Sequence, residues 1–319
     1  MKKNVRNIAL LLGLMPALVL CQRIDNTAAY RTPNSSSYTR ILYDNDFFSA
    51  TDKYYTQGYT IEWVSPVLRK NPLNKALVGF KNGTTQYGVA FDHFGFTPTS
   101  IESNEILVGD RPFAAFLALK TFSMSLDTAK KARISSALSL GMIGPVAFAE
   151  GMQRGIHKLM NGIDPRGWQF QIQNDVAITY EINYEKQIFA HPEFFSLNTN
   201  AQLRVGTINN KVSTGFTAMV GLVQPPFAAR KPKTFQFYFY AQPLVSLVGY
   251  DATLQGGLFG RSPYSLNAGQ VRRATFQANA GLVLQYKKLY LEYTQSYISQ
   301  EFVGGKNHRW GGLRVGFLM

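Results

Sequence analysis

The sequence predicts an all-β fold, a closed antiparallel transmembrane β-barrel of about 12 strands with a short helix in an extracellular loop. Three observations predict it. From about residue 37 onward, apolar and polar side chains alternate at period two, which puts them on opposite faces of a strand. Charged residues make up only 16% of the chain while aromatics reach 13%, against ~25% charged in an ordinary soluble domain. Beyond the N-terminus, no apolar run approaches the roughly 18 to 20 residues that a membrane-spanning helix requires.

The first element is an export signal. Residues 1–7 are basic and polar, and mostly apolar residues run from Ile8 to Cys21, the layout of a secretory leader. We assign 1–28 to a signal peptide, cleaved between Cys21 and Ala29, and 37–319 to the barrel. Cys21 follows Leu20 rather than the small residue that lipidation sites favour, so ordinary cleavage is expected. As Cys21 is the only cysteine, the chain has no internal disulfide and no cysteine-built zinc site.

The expected strands run roughly over 37–48, 54–66, 84–94, 114–127, 132–143, 168–187, 193–207, 211–223, 233–251, 270–286, 288–300 and 308–319. Four show the alternation most plainly. In the third, Tyr87, Val89 and Phe91 oppose Gln86, Gly88, Ala90 and Asp92. In the sixth, Ile172, Val176, Ile178, Tyr180, Ile182 and Tyr184 oppose Gln171, Gln173, Asp175, Thr179, Glu181 and Asn183. The seventh sets Leu197, Ala201, Leu203 and Val205 against Ser196, Asn198, Asn200 and Arg204, and the tenth sets Phe276, Ala278, Leu282 and Leu284 against Gln277, Asn279 and Gln285. Such long strands suit a bilayer, where closure removes the edges that lipid cannot satisfy.

An even strand count leaves the connections 48–54, 95–113, 144–167, 207–211, 251–270 and 300–307 on the extracellular side. From Val146 to Gly162 the period of two is lost, and Gln153, His157 and Met160 fall at helical spacing, so a short surface helix is expected there even though Gly151 and Gly155 weaken it.

The formal net charge of +14, from 33 Lys+Arg against 19 Asp+Glu, invites a nucleic-acid reading. The excess is spread along the chain, with no basic amphipathic stretch or RNA-binding aromatic motif, so nucleic acid is not an expected partner. An anionic membrane surface explains the charge better. No obligate protein partner is implied.

Unusual polar residues gather at the extracellular end. Asn45 and Asp46 close the first strand, Thr56 opens the second, Asp110 and Arg111 precede the fourth, and Gln153 and His157 occupy the long third loop. Together they offer an imidazole, carboxylates, amides, a hydroxyl and a guanidinium, a set able to activate water and stabilise an oxyanion. Each also has an ordinary reading: Asn45-Asp46 as a turn pair, Thr56 as a β-favouring residue, His157 as a solvated side chain.

The segments Tyr43-Asp44-Asn45-Asp46-Phe47-Phe48, Thr51-Asp52-Lys53-Tyr54-Tyr55-Thr56-Gln57-Gly58, Asp110-Arg111-Pro112-Phe113, Gly141-Met142-Ile143-Gly144-Pro145 and Gly167-Trp168-Gln169-Phe170-Gln171 jointly resemble the outer-membrane lipid A 3'-O-deacylase family. The resemblance implies a Gram-negative outer-membrane location and a calcium-dependent hydrolase that removes the ester-linked 3'-acyloxyacyl group from lipid A of lipopolysaccharide. It implies His157 as general base, Asp46 and Asn45 as catalytic groups that hold Ca2+, and Thr56 as a catalytic positioning residue. Gln153 and Arg111 are expected to bind substrate. One departure stands out: the family places a functional lysine after the third strand, whereas no lysine occurs here between Phe94 and Asp110. A related lipid esterase with another acylated substrate, and a noncatalytic pore or adhesin, are the alternative readings.

Overall fold

Alternation sorts each strand into two sets of side chains, and their exposures are inverted relative to a soluble protein. In the computed structural model, which describes residues 35–49, 53–159, 161–227 and 233–319, Ile41, Ile61, Trp63, Leu119, Ile178, Val205, Phe237, Phe239, Leu282 and Leu313 are exposed. Arg40, Glu62, Asp92, Lys120, Glu181, Glu292 and Arg314 are buried. Charged side chains are almost never fully buried in a soluble fold unless paired, while an apolar outer band is what lipid requires.

The strands are β1 (Tyr38–Asn45), β2 (Tyr54–Val64), β3 (Thr84–Thr97), β4 (Ala114–Asp127), β5 (Ala132–Ile143), β6 (Asp175–His191), β7 (Phe195–Gly206), β8 (Asn209–Leu222), β9 (Phe235–Asp251), β10 (Ala274–Tyr286), β11 (Leu289–Ile298) and β12 (His308–Leu318). Each pairs with its sequence neighbours, and β1 pairs with β12 from Tyr38↔Leu318 to Asn45↔Gly311, closing the barrel. Closure gives every wall strand a partner on both edges, as hydrocarbon demands.

The interior is stitched by ion pairs between neighbouring strands. Arg40 Nη2 lies 2.6 Å from Glu62 Oε1, Lys120 Nζ 2.9 Å from Asp92 Oδ2, and Arg204 Nη2 3.0 Å from Glu181 Oε2. Arg314 pairs with Glu292, which also accepts from Tyr240 Oη at 2.7 Å and Tyr290 Oη at 2.8 Å. Tyr38, Arg40, Tyr240, Tyr290 and Arg314 are all 2% exposed or less, so side chains fill this part of the lumen.

Several element boundaries differ from expectation. Strand β6 begins at Asp175 rather than near 168, because Gly167 adopts φ 88° and Trp168–Phe170 forms a 3-10 turn. Ile172 N then donates to Phe113 O at 2.8 Å, tying this stretch to the segment before β4. Strand β1 stops at Asn45, where Asp46–Ser49 turns as a 3-10 segment, and β10 starts at Ala274, with Val271 making only an isolated bridge to Phe302. The expected loop helix forms as α1 (Ala149–Leu159), and a second short helix, α2 (Ala252–Gln255), follows β9. Gly151 and Gly155 do not break α1; a Cβ at either would meet no atom within 4 Å. The expected signal peptide with Cys21, and Met160, lie outside the described residues.

Glu292→Ala removes the carboxylate shared by Arg314, Tyr240 and Tyr290. Breaking such a buried pair costs ~3–5 kcal/mol, so the heat-resistant folded band on unboiled gels should disappear at a lower temperature. The apolar double replacement Glu292→Leu with Arg314→Met should recover most of the loss.

Candidate functional site

Outside the extracellular end of the wall, the loop from 144 to 174 folds back over β1, β2 and β3. Gly144 starts it at φ 112°, where an added Cβ would meet Asn174 N at 2.5 Å, so only glycine fits. Its N–H donates to Ala115 O at 2.7 Å. A 3-10 turn over Pro145–Ala147 follows, and Phe148, in the left-handed conformation, stacks on His93 at 4.9 Å between ring centroids. His93 Nε2 donates to Ala147 O at 2.6 Å. These contacts occupy His93 as an anchor for the loop.

Helix α1 then lies over the wall with Ala149 and Gln153 buried. Gln153 is fixed by Trp168 Nε1, which donates to its Oε1 at 2.8 Å. Its Nε2 is buried and has no hydrogen-bond partner. On the exposed side of the helix, Arg154 reaches Glu150 at 3.2 Å and Asp164 at 3.1 Å, and the Asp164 carboxylate raises the Arg154 pKa.

Between helix and wall lies a cleft of about 470 Å³ lined by Tyr43, Asn45, Asp46, Phe47, Phe48, Thr56, Gln57, Gln153, Ile156, His157 and Gly162. It unites residues from β1, the 3-10 turn that follows it, β2 and the third extracellular loop. Tyr43 and Gln57 belong to the outward parity of their strands, which further along carries the exposed Ile41, Ile61 and Trp63. The cleft therefore sits on the lipid side of the wall, separate from the lumen.

The His157 side chain has a defined orientation. Its Nδ1 lies 2.7 Å from Ile163 O. A carbonyl oxygen only accepts, so Nδ1 carries the proton in the neutral ring and the Nε2 lone pair is left to act as a base. Asp46 is 3% exposed, and its Oδ2 accepts from Lys53 N at 2.7 Å. Asn45 Oδ1 accepts from Phe47 N at 2.7 Å, and its Nδ2 donates to Tyr43 Oη at 3.0 Å. The turn reading of this pair is thus present together with its place in the cleft. Thr56 Oγ1 shares a 2.8 Å hydrogen bond with Thr97 Oγ1.

Arg111 is not brought to this cleft. Its guanidinium lies over the Phe96 ring at 4.4 Å and donates to Glu301 Oε2 and Thr253 Oγ1, both at 2.6 Å. It lines a second, smaller cavity of about 90 Å³ with Asp251, His308 and Trp310. Burial pushes the Glu301 carboxyl up to about 7, against the pull of Arg111. Arg111 therefore joins three extracellular connections.

Sequence reasoning missed Gln57, whose Nε2 is buried in the cleft without a hydrogen-bond partner. The available signal was a polar amide on the outward parity of β2, among Tyr59, Ile61 and Trp63. Thr51 and Asp52, from the same sequence motif, lie outside the described residues. Among the described residues no group of three or more His, Cys, Asp and Glu side chains forms a metal site. The donors in the cleft are one carboxylate with amide and hydroxyl oxygens. That set suits a hard cation such as calcium that keeps several of its waters.

The family model described as "Outer membrane protein LpxR" matches residues 8–318. Among solved structures, LpxR from Salmonella typhimurium is similar at a TM-score of 0.73 with 17% identity, covering 89% of this chain and 100% of that one. The translocator domain of autotransporter NalP from Neisseria meningitidis matches at a TM-score of 0.43 with 10% identity, covering 89% and 88% of the two chains. The toluene transporter TodX of P. putida matches at 0.37 with 9% identity, covering 90% of each; neither of these lower scores carries an argument about this chain. No match was found among curated protein sequences. The alternating strands, the closed barrel and a family match over nearly the whole chain agree: this protein is an outer-membrane β-barrel belonging to the LpxR family.

Proposed function

We propose that this protein hydrolyses the ester holding the 3'-acyloxyacyl group on lipid A. One observation carries the reading: His157, Asp46, Asn45, Thr56 and Gln153, distant in sequence, line a single cleft that faces lipid. Lipid A occupies the outer leaflet, so an ester at this depth reaches the cleft without leaving the membrane.

In the proposed reaction His157 Nε2 takes a proton from water, and the resulting hydroxide attacks the ester carbonyl carbon. The Nδ1 contact with Ile163 O keeps the ring in the basic tautomer and steadies the imidazolium as it forms. The Asp46 carboxylate and the Asn45 amide oxygen would hold a calcium ion, which when bound supplies positive charge for the carbonyl oxygen. Thr56 positions water or substrate at the cleft floor. The Nε2 groups of Gln57 and Gln153 are buried donors on cleft-lining residues, suited to hydrogen-bonding a carbonyl or its oxyanion. When the tetrahedral intermediate collapses, the proton on His157 passes to the departing sugar oxygen.

The missing lysine between Phe94 and Asp110 favours a second reading, the same ester chemistry on another acylated lipid. A pore is supported less well, because buried ion pairs fill the lumen between β1, β2, β11 and β12.

Mass spectrometry of lipid A from a lipopolysaccharide-producing host expressing the protein should reveal loss of the 3'-acyloxyacyl group. His157→Ala should slow that loss by ~10²–10⁴-fold, and Asp46→Ala or calcium chelation should suppress it. Unchanged lipid A with a folded, surface-exposed barrel would contradict the reading. In a second test, 15N-histidine NMR should find the neutral form of the His157 ring protonated at Nδ1; an Nε2–H signal from that form would remove the proposed base.

A further inference from the structure

At the opposite, periplasmic end, the turns after β4, β6 and β10 are short, the connection between β8 and β9 runs over 223–234, and the connection between β2 and β3 runs over 65–83. It does not hang free. Asn71 Nδ2 donates to Thr121 Oγ1 at 3.3 Å, Phe80 N to Ser125 Oγ at 2.9 Å, Ser136 Oγ to Val78 O at 2.8 Å and Tyr180 Oη to Ala76 O at 2.6 Å. Thr121 and Ser125 share the parity of the lipid-exposed Leu119, Ser136 that of Leu140, and Tyr180 that of Ile178. The segment therefore lies against the outside of the barrel and covers hydroxyls that lipid would leave unsatisfied. Its two short 3-10 turns, Pro66–Lys70 and Pro72–Ala76, belong to this segment, which rests as a shelf against the outer faces of β4, β5 and β6.

The chemistry of that shelf is one-sided. Residues 65–83 contain Arg69, Lys70, Lys75 and Lys81 and no Asp or Glu. All four cations are exposed, and Val67, Leu73 and Val78 are exposed among them. Lys130, on the adjoining turn, lies 5.2 Å from the Phe80 ring centroid. Interleaved cations and apolar side chains at bilayer depth match a phosphodiester headgroup with its acyl chains beneath it. We infer that segment 65–83 is a binding shelf for anionic phospholipid of the inner leaflet, with Arg69, Lys70, Lys75 and Lys81 pairing to phosphate and Val67, Leu73 and Val78 resting on acyl chains. This inference is independent of the extracellular cleft.

The test is native mass spectrometry of the folded barrel, released from bilayers containing equal amounts of phosphatidylglycerol and phosphatidylethanolamine. Each cation near an anionic surface contributes roughly fivefold in partition. The wild type should retain phosphatidylglycerol at least ~10-fold over phosphatidylethanolamine, and R69Q/K70Q/K75Q/K81Q should approach parity. The milder K75Q/K81Q covers the case in which the quadruple variant fails to fold. Gly79→Leu keeps every charge but brings a side chain against Ser125, whose Cβ would lie 2.9 Å from an added Cβ; it too should lose the preference. Lys158→Gln with Arg166→Gln on the extracellular loop should leave the ratio unchanged. Equal retention of the two lipids by the wild type, including where a second protein copurifies on this face, would overturn the inference, as would an unaltered preference in K75Q/K81Q.

Discussion

Hydrocarbon offers no partner for a peptide N–H or C=O, and the rest of this molecule follows from that constraint. Strands can reside in lipid only when every edge is paired, so β1 must meet β12 and the wall must close. Closure creates an interior that lipid never reaches. Charged residues can occupy it only by pairing with one another, as Arg40 does with Glu62 and Arg314 with Glu292. Such pairs are an uncertain source of net stability. Their clearer consequence is that side chains fill the lumen where those pairs lie.

At that rim, specificity of structure comes from a few local devices. Gly144 permits a turn that no other residue could make, and the Phe148 stack on His93 pins the loop to the wall. Trp168 fixes Gln153, and Ile163 O fixes the His157 ring. These residues place Gln153 and His157 at the cleft without themselves lining it. An 11-residue helix is marginal in water by itself. Helix α1, with two glycines in it, depends on these attachments for its place beside Asp46.

The barrel was readable because alternation is a local property: Ile178 and Tyr180 opposing Thr179 and Glu181 specify two faces whatever the neighbours do. Departures arose where long-range packing overrode that local pattern. Gln169 and Gln171 continue the alternation of β6, yet Trp168–Phe170 turns because Gly167 adopts a left-handed backbone and Ile172 bonds to Phe113. Asp46, Asn45, Thr56, Gln153 and His157 are grouped through the family resemblance, and they line one cleft in the structure. Arg111 could not be assigned the same way, since nothing in Asp110-Arg111-Pro112 reveals that Glu301 and Thr253 would hold its guanidinium. Gln57 and the wall hydroxyls Thr121, Ser125 and Ser136 illustrate a signal that period-two reading discards: a polar residue on the lipid-facing parity marks a place where protein, rather than lipid, covers the wall.

The account rests on the cleft between α1 and the outer wall as the place where an acyl ester meets His157 and Asp46. A crystal structure of the His157→Ala variant bound to intact lipid A with calcium tests it most directly. The account predicts the 3' ester carbonyl in the cleft beside the Asp46 carboxylate, with acyl chains running down the lipid face of β1 and β2. Lipid A seated in the lumen, or against another face of the barrel with its esters remote from residue 157, would contradict it.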